Sequence, residues 1–242
     1  MKKIFFWSPH ISNVATIKNV INSAMSLKKY KKNSLNVSII DVVREWKKYK
    51  KEIEISNINL IELPGLNLNK FFPIEGFFKS RLIYFLIFFF KYYSLKNLIK
   101  KEKPDYLIIH LISFLPLSML FFSKFKTKFI LRISGLPKLT LFRKILWKLI
   151  SKKIFMVTCP SEKTRDDLIK NKIFPDENIK ILYDPIIEVS KVNKYLKCKN
   201  THDILNRRYF LNIGRLTKQK NQILLIKAFS KILPNNKDLN LI

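Results

Sequence analysis

Four residues that could hold an anion crowd one short stretch near the C-terminal end of the sequence: Gly214, Arg215, Lys218 and Lys220. Tyr209–Ile213 before them is an apolar run that reads as a buried strand. Gly214 lets the backbone adopt conformations that a larger residue resists. Asn221 stands where an N-cap is expected, and from Gln222 the apolar residues Leu225, Ala228, Phe229, Ile232 and Leu233 recur at helical spacing until Pro234. Strand, glycine, basic loop and helix start together bind phosphate, because amide N–H groups and the positive end of the helix dipole face the anion while Arg or Lys neutralises it. The stretch is neither a Walker loop, which ends Gly-Lys-Ser/Thr, nor the Gly-x-Gly-x-x-Gly fingerprint. A plain strand-to-helix connection with solvated lysines is the competing reading in so lysine-rich a chain.

Gly214-Arg215-Leu216, three residues, Lys220 and a helix ending Ala228-Phe229 resemble the donor-site signature of family 4 retaining glycosyltransferases. The resemblance implies that Arg215 and Lys220, with Gly214 before them, grip the diphosphate of a UDP- or GDP-sugar. It implies retaining transfer in which those two cations stabilise the departing diphosphate, with no metal and no cofactor beyond the donor substrate. It also implies the GT-B fold, in which an N-terminal Rossmann-like domain holds the acceptor and a C-terminal one the nucleotide sugar.

The elements that would position such a site run through the whole chain. Ile4–Trp7 is a buried-strand run, the loop from Ser8 to Val14 follows, and Ala15–Lys29 has a helical apolar face of Ile17, Val20, Ile21, Ala24, Met25 and Leu27. Strand, loop and helix form the first unit of a Rossmann-like domain. Relatives carry a glycine-rich turn here; this chain has Ser12, Asn13 and Thr16, whose small polar side chains could bond an acceptor or a phosphate, or simply cap the helix. Val37–Ile40 and Ile58–Leu63 read as further strands. Lys103-Pro-Asp-Tyr-Leu-Ile-Ile-His110 resembles the family's strand that ends in His at the ligand-binding edge of the sheet. Lys128–Pro137 reads as a strand running into a turn. Ser134 stands where relatives carry a His near the reacting sugar, and Arg132, two residues back on the same face, suits an acceptor or leaving-group anion or, equally, a buried carboxylate partner. His110, Arg132 and Ser134 are the catalytic candidates. Leu111–Phe122 reads as a loop and a short helix interrupted by Pro116, and Arg143–Ile150 as an amphipathic helix. Ile154–Thr158 reads as a strand, with Ser161 as N-cap of the next helix, and the last strand leads to Asp184-Pro185, where relatives read Asn-Pro.

Phe77–Lys101 is the most apolar region. Its uninterrupted run, Leu82–Phe90, is too short for a spanning helix, which needs about 20 residues. A core helix is expected, with an interfacial helix as the alternative.

The chain has 242 residues and a formal net charge of +30, carried by 39 lysines and eight arginines that are dispersed along it. No zinc-finger, RRM or KH pattern accompanies that charge, which argues against a nucleic-acid partner and leaves peripheral contact with an anionic membrane open. Cys159 and Cys198 form neither a metal cluster nor a disulfide framework, consistent with a reducing cytosol. The N-terminal apolar run is too short for a secretory signal. The expected organisation is an acceptor-side Rossmann-like domain at 1–187, a linker at 188–208 and the first strand-helix unit of a nucleotide-sugar domain at 209–242. The family's Glu-x7-Glu pair and its base and ribose pockets are not in the sequence, so the chain is expected to be a fragment or a truncated form with little activity alone. The functional expectation is a cytoplasmic glycosyltransferase, on the inner face of the cytoplasmic membrane if peripheral. It would act on a saccharide or lipid-linked acceptor in cell-surface polysaccharide or lipopolysaccharide assembly. A basic nucleic-acid-binding or membrane-surface protein without catalysis is the alternative.

Overall fold

The computed structural model of the chain describes residues 1–31, 34–68, 70, 76–186, 192–194, 196, 208–214, 216–218 and 220–242. They divide into two units, 1–186 and 187–242.

In the first unit strands and helices alternate: β1 (Lys2–Trp7), α1 (Thr16–Tyr30), β2 (Leu35–Asp41), α2 (Lys50–Ile55), β3 (Asn59–Glu62), α3 (Phe77–Glu102), β4 (Tyr106–Ile109), α4 (Phe114–Phe122), β5 (Lys128–Arg132), α5 (Leu141–Ile150), β6 (Met156–Cys159), α6 (Glu162–Lys170) and β7 (Ile179–Ile181). The strands are short apolar runs that pair in parallel, in the order β3-β2-β1-β4-β5-β6-β7. The chain lays down β1 to β3 in one direction, then returns past β1 and adds β4 to β7 in the other. Right-handed crossovers therefore put α1 and α2 on one face and α3 to α6 on the opposite face. Side-chain alternation divides the core accordingly. Ile4, Phe6, Val37 and Ile39 pack with Ile17, Val20, Ile21, Ala24 and Ile53. Phe5, Trp7, Leu107, Ile109, Phe129, Leu131 and Val157 pack with Ile87, Leu95, Ile99, Leu117, Met119, Trp147, Ile150 and Leu168. This is a doubly wound, Rossmann-like α/β sheet.

Local chemistry fixes the helix starts. Ser161 caps α6, its Oγ accepting from the Thr164 N–H at 3.3 Å, and Thr140 caps α5 in the same way. Pro116 does not interrupt the segment where it was expected to. It lies in the first turn of α4, where its missing N–H costs nothing.

The expected core helix over Phe77–Lys101 is present and packs on the core along one face, while its other face is exposed. α3 runs for 26 residues, and by length and composition it is long and apolar enough to cross a membrane. Among its described residues only Ile87, Lys91, Leu95 and Ile99 are buried, a four-residue repeat that makes one core-facing stripe; Leu82, Phe85, Phe89, Phe90 and Tyr93 are exposed. Lys91 is fully buried inside this apolar helix because its Nζ donates to the Pro64 and Leu63 carbonyls at 2.8 and 3.3 Å. Burial lowers its pKa and Arg44 adds to that, while Glu45 and Asp41 oppose it. Gly65, at φ +95°, turns the chain directly after those carbonyls, a conformation a side chain would strain.

The second unit is a βαβ unit: β8 (Arg208–Phe210), α7 (Gln222–Ile232) and β9 (Leu239–Leu241), with β9 parallel to β8. The strand is shorter than the expected Tyr209–Ile213, ending at Phe210, although the Asn212 N–H still donates to the Ile242 carbonyl at 2.7 Å. β9 adds a third element to the strand and helix expected from sequence. Phe210 meets Phe229 edge to face at 6.4 Å, yet none of the described residues of this unit is buried. One βαβ unit cannot enclose its own apolar faces. Apart from Val192–Lys194, Leu196 and Arg208, the expected linker 188–208 lies outside the described residues, as does Cys198; Cys159 is a buried free thiol.

Candidate functional site

The parallel register carries a sharp change of chemistry across the sheet. One row on the α1 side reads Leu60, Ile39, Phe6, Ile108, Ile130, Met156 and is wholly apolar. The next residues facing the same way, two further along each strand, are Glu62, Asp41, Ser8, His110, Arg132, Thr158 and Lys180. The register pairs Asp41–Glu62, Arg132–Thr158 and Thr158–Lys180, with the His110 N–H bonded to the Trp7 carbonyl at 2.9 Å, fix this second row. Within one pleat the sheet passes from core to a continuous polar edge at its C-terminal end. The row is centred on β1 and β4, where the strand order reverses, the place where open α/β sheets bind ligands.

Several polar atoms in this row are buried without a hydrogen-bond partner among the described residues: Ser8 Oγ, both ring nitrogens of His110, Arg132 Nε and Thr158 Oγ1. Leaving such a group unmade costs about 1–3 kcal/mol each, so a row of them marks a binding surface better than a packing device. Together they offer two hydroxyls, an imidazole with one donor and one acceptor, and a guanidinium N–H. That set suits a polyhydroxylated or anionic ligand.

His110 has its pKa lowered to about 3, first by burial and second by the nearby Arg132. At neutral pH it is an uncharged hydrogen-bonding group and too weak a base to take a proton. Its folded-state pKa lies below the unfolded value of 6.5, so the unfolded chain binds more protons between those limits, and stability falls as the pH drops through that window. His10 acts with the same sign: its pKa is lowered to about 4 by burial, with the Ser8 carbonyl and Asp41 partly offsetting. Glu45 acts oppositely. Burial, then its hydrogen bond to Asp41, then the charge of Asp41 raise its pKa well above normal, against the backbone N–H groups of Val43 and of Glu45 itself. Substituting His110→Gln is expected to remove about 2 kcal/mol of the acid destabilisation between pH 6 and pH 4. Urea midpoints at the two pH values measure it, with His10 and Glu45 unchanged in both proteins.

Arg132 takes the second of its two expected roles. Its Nη2 donates to Asp184 Oδ1 at 2.6 Å and to the Tyr183 and Leu182 carbonyls at 3.2 and 3.4 Å. The guanidinium is thus largely neutralised by the chain after β7, which engages its Nη2, while the buried Nε is left to reach a ligand. Ser134, the third catalytic candidate, is exposed beyond the end of β5. In the loop after β1, Ser12 is half-buried, Asn13 exposed and Thr16 buried in the first turn of α1, whose N-cap Ala15 makes no side-chain cap bond. Their side chains make no hydrogen bond among the described residues. Ser8, Thr158 and Asp184 escaped the sequence reading as site residues; the signal that could have found Ser8 and Thr158 is a polar residue closing an otherwise apolar strand.

In the second unit the loop between β8 and α7 folds back on itself. Lys220 N–H and Asn221 N–H both donate to the Thr217 carbonyl, at 3.0 and 3.1 Å. A Cβ built on Gly214 would stand 3.6 Å from Lys220 Cγ and 3.6 Å from Gln222 Nε2, so Gly214 and Lys220 lie against each other at the start of α7. Gly214 does not use the left-handed backbone its sequence position suggested; among glycines only Gly65, Gly76 and Gly135 have positive φ. Its substitution by alanine meets only ordinary contacts, and Gly214→Ala is expected to change the melting temperature by less than about 2 °C. Asn221 occupies the N-cap position at φ +48° without a side-chain cap bond, a left-handed conformation that Asn tolerates. Arg215 lies outside the described residues. Among the described residues no group of three or more His, Cys, Asp or Glu is placed to hold a metal ion.

No protein-family model and no curated protein matches the sequence. Solved structures do match. A glycosyltransferase from Rickettsia africae has a TM-score of 0.63 and 16% identity over 100% of this chain and 68% of its own. The Anabaena protein HepE, in complex with UDP-glucose, has a TM-score of 0.56 and 13% identity over 100% of this chain and 59% of its own. The UDP-GlcNAc 2-epimerase from Neisseria meningitidis, bound to UDP-GlcNAc, has a TM-score of 0.54 and 12% identity over 100% of this chain and 65% of its own. The likeness is one of fold, the GT-B class, and the chain spans about three fifths of the length of these proteins.

Proposed function

We propose that this chain forms the acceptor side and the diphosphate-binding start of a retaining glycosyltransferase. It would transfer a hexosyl-type sugar from a UDP- or GDP-sugar to a saccharide or lipid-linked acceptor of the cell surface. The observation that carries the reading is the β8–loop–α7 turn, which presses Lys220 against Gly214 at the start of a helix. In this reading the positive end of the helix dipole and the lysine would face one anion, and Arg215 follows Gly214 in the sequence. In this reading Arg215 and Lys220 hold the donor diphosphate and stabilise the charge that grows on it as the glycosidic bond breaks. In this reading the neutral imidazole of His110 would bond a sugar hydroxyl, helped by Ser8, Thr158 and the Nε of Arg132. Ser12, Asn13 and Thr16 border the acceptor, and Ser134 lies beyond the edge. The place of work in this reading is the cytoplasm. Likeness to nucleotide-sugar proteins of the same fold supports the reading without deciding the donor or acceptor.

Calorimetric titration of the full chain with UDP-glucose and with GDP-mannose tests it, using Arg215→Ala and Lys220→Ala. Binding of one donor that both substitutions weaken is expected. Binding that neither substitution changes contradicts the assignment, as does tight, salt-sensitive RNA binding without nucleotide-sugar affinity.

A further inference from the structure

The helical layer over α3, α4 and α5 presents apolar side chains in two directions. On α3, Phe85 and Ile87 are two positions apart, about 200° around the helix. Ile87 is buried against the sheet and Phe85 points away from it, exposed. Leu82, Phe85, Phe89 and Tyr93 continue that outer stripe, with spacings of three, four and four residues, the signature of a second apolar face. α5 repeats the arrangement: Trp147 and Ile150 are buried, while Leu141, Phe142, Ile145 and Leu149 are exposed along the other side. The two outer stripes are linked. Phe88 of α3 meets Phe114 of α4 at 5.0 Å, and Phe114 meets Phe142 of α5 at 5.7 Å. An exposed apolar surface that is contiguous over three helices marks an interaction site.

Charge identifies the occupant. Between Phe77 and Ser161 the sequence holds 17 basic residues and two acidic ones, Glu102 and Asp105. Neither lies on the outer stripes: Glu102 ends α3, where it pairs with Lys3, and Asp105 bonds the Lys3 N–H next to β4. Lys79 and Lys96 flank the stripe on α3, and Lys138, Lys144 and Lys148 surround that on α5. A protein partner would need a matching excess of acids around an apolar patch. A bilayer rich in anionic lipid supplies both at once, with headgroups for the lysines and acyl boundary for the phenylalanines. The helix cannot cross that bilayer, because Ile87, Lys91, Leu95 and Ile99 hold its other side in the core.

We infer that the outer face of α3 and α5 docks flat on an anionic membrane surface, Phe85, Phe89, Phe142 and Leu149 entering the interface while the lysines contact lipid headgroups. The inference is independent of the nucleotide-sugar reading, which concerns other residues.

The test is flotation of the full chain with phosphatidylcholine vesicles, with and without phosphatidylglycerol at 30 mol%, at low and high salt. Binding is expected only with phosphatidylglycerol and is lost at high salt. Phe85→Glu combined with Phe142→Glu should lower the partition coefficient at least about tenfold, and so should Lys144→Glu combined with Lys148→Glu. All four positions are surface-accessible, and thermal melting by circular dichroism confirms that the variants fold. The second pair keeps the test alive if the first misfolds. Equal binding by wild type and folded variants overturns the inference. So does failure to float with phosphatidylglycerol vesicles, and a vesicle-indifferent dimer that the phenylalanine variants convert to monomer assigns the face to a second copy instead.

Discussion

Lys220→Ala is expected to weaken UDP-glucose binding by the full chain about ten- to hundredfold. A charge-assisted hydrogen bond to a phosphate oxygen contributes about 1.5–3 kcal/mol, and each 1.4 kcal/mol is tenfold in affinity. The geometry makes the prediction specific. Lys220 is the lysine whose side chain lies nearest Gly214, whereas Lys218, two residues earlier and exposed like Lys220, contributes none of the atoms nearest that glycine. Lys218→Ala should therefore cost less than about threefold, even though it removes the same formal charge. Equal losses from both lysines in a calorimetric titration would mean that binding responds only to the general positive field of the chain.

The largest stability effect is expected in the first unit. Arg132 is 4% exposed, and its Nη2 rests on Asp184 and two carbonyls in the segment after β7. Deleting Asp184 leaves a buried guanidinium without its counter-charge, a change that costs about 3–5 kcal/mol where the pair is well buried. Asp184 itself is partly exposed, so Asp184→Ala is expected at the lower end, about 3 kcal/mol, with Asp184→Asn costing less than half of that because its amide oxygen still accepts. Arg132→Met should recover part of the loss when combined with Asp184→Ala, since the double variant buries no unpaired ion. Urea denaturation of the four proteins gives the coupling directly. Additive losses would show that the Arg132–Asp184 contact is incidental.

The sequence showed the sheet almost completely because its strands are short apolar runs separated by helices of clear period, and a parallel doubly wound sheet is what that alternation builds. Ser161 was legible as a cap because its chemistry is local. Most of what was missed depends on register. Nothing adjacent in sequence says that Ser8, His110, Arg132 and Thr158 share one row, since that follows from the pairing of four strands. Asp184 stands out in the sequence only as a departure from the Asn-Pro of relatives, and its partner Arg132 lies fifty-two residues away along the chain. α3 misled for another reason. Its composition is apolar on two sides, so the expectation of core packing accounted for Ile87, Leu95 and Ile99 but left Phe85 and Phe89 without an explanation inside the fold. At Gly214 the residue type suggested a special backbone angle, whereas what the position provides is room for Lys220 and Gln222 to lie close.

The central claim is that the turn from Ile213 to Asn221 and the first turn of α7 receive the diphosphate of a nucleotide sugar. Hydrogen–deuterium exchange of the full chain, with and without saturating UDP-glucose or GDP-mannose, tests it at the level of individual peptides. One of these donors is expected to slow exchange of the amides between residues 213 and 225, and Lys220→Ala to abolish that protection at the same donor concentration. Unchanged exchange in this segment, with a nucleotide sugar bound and protection confined to other parts of the chain, would contradict the account.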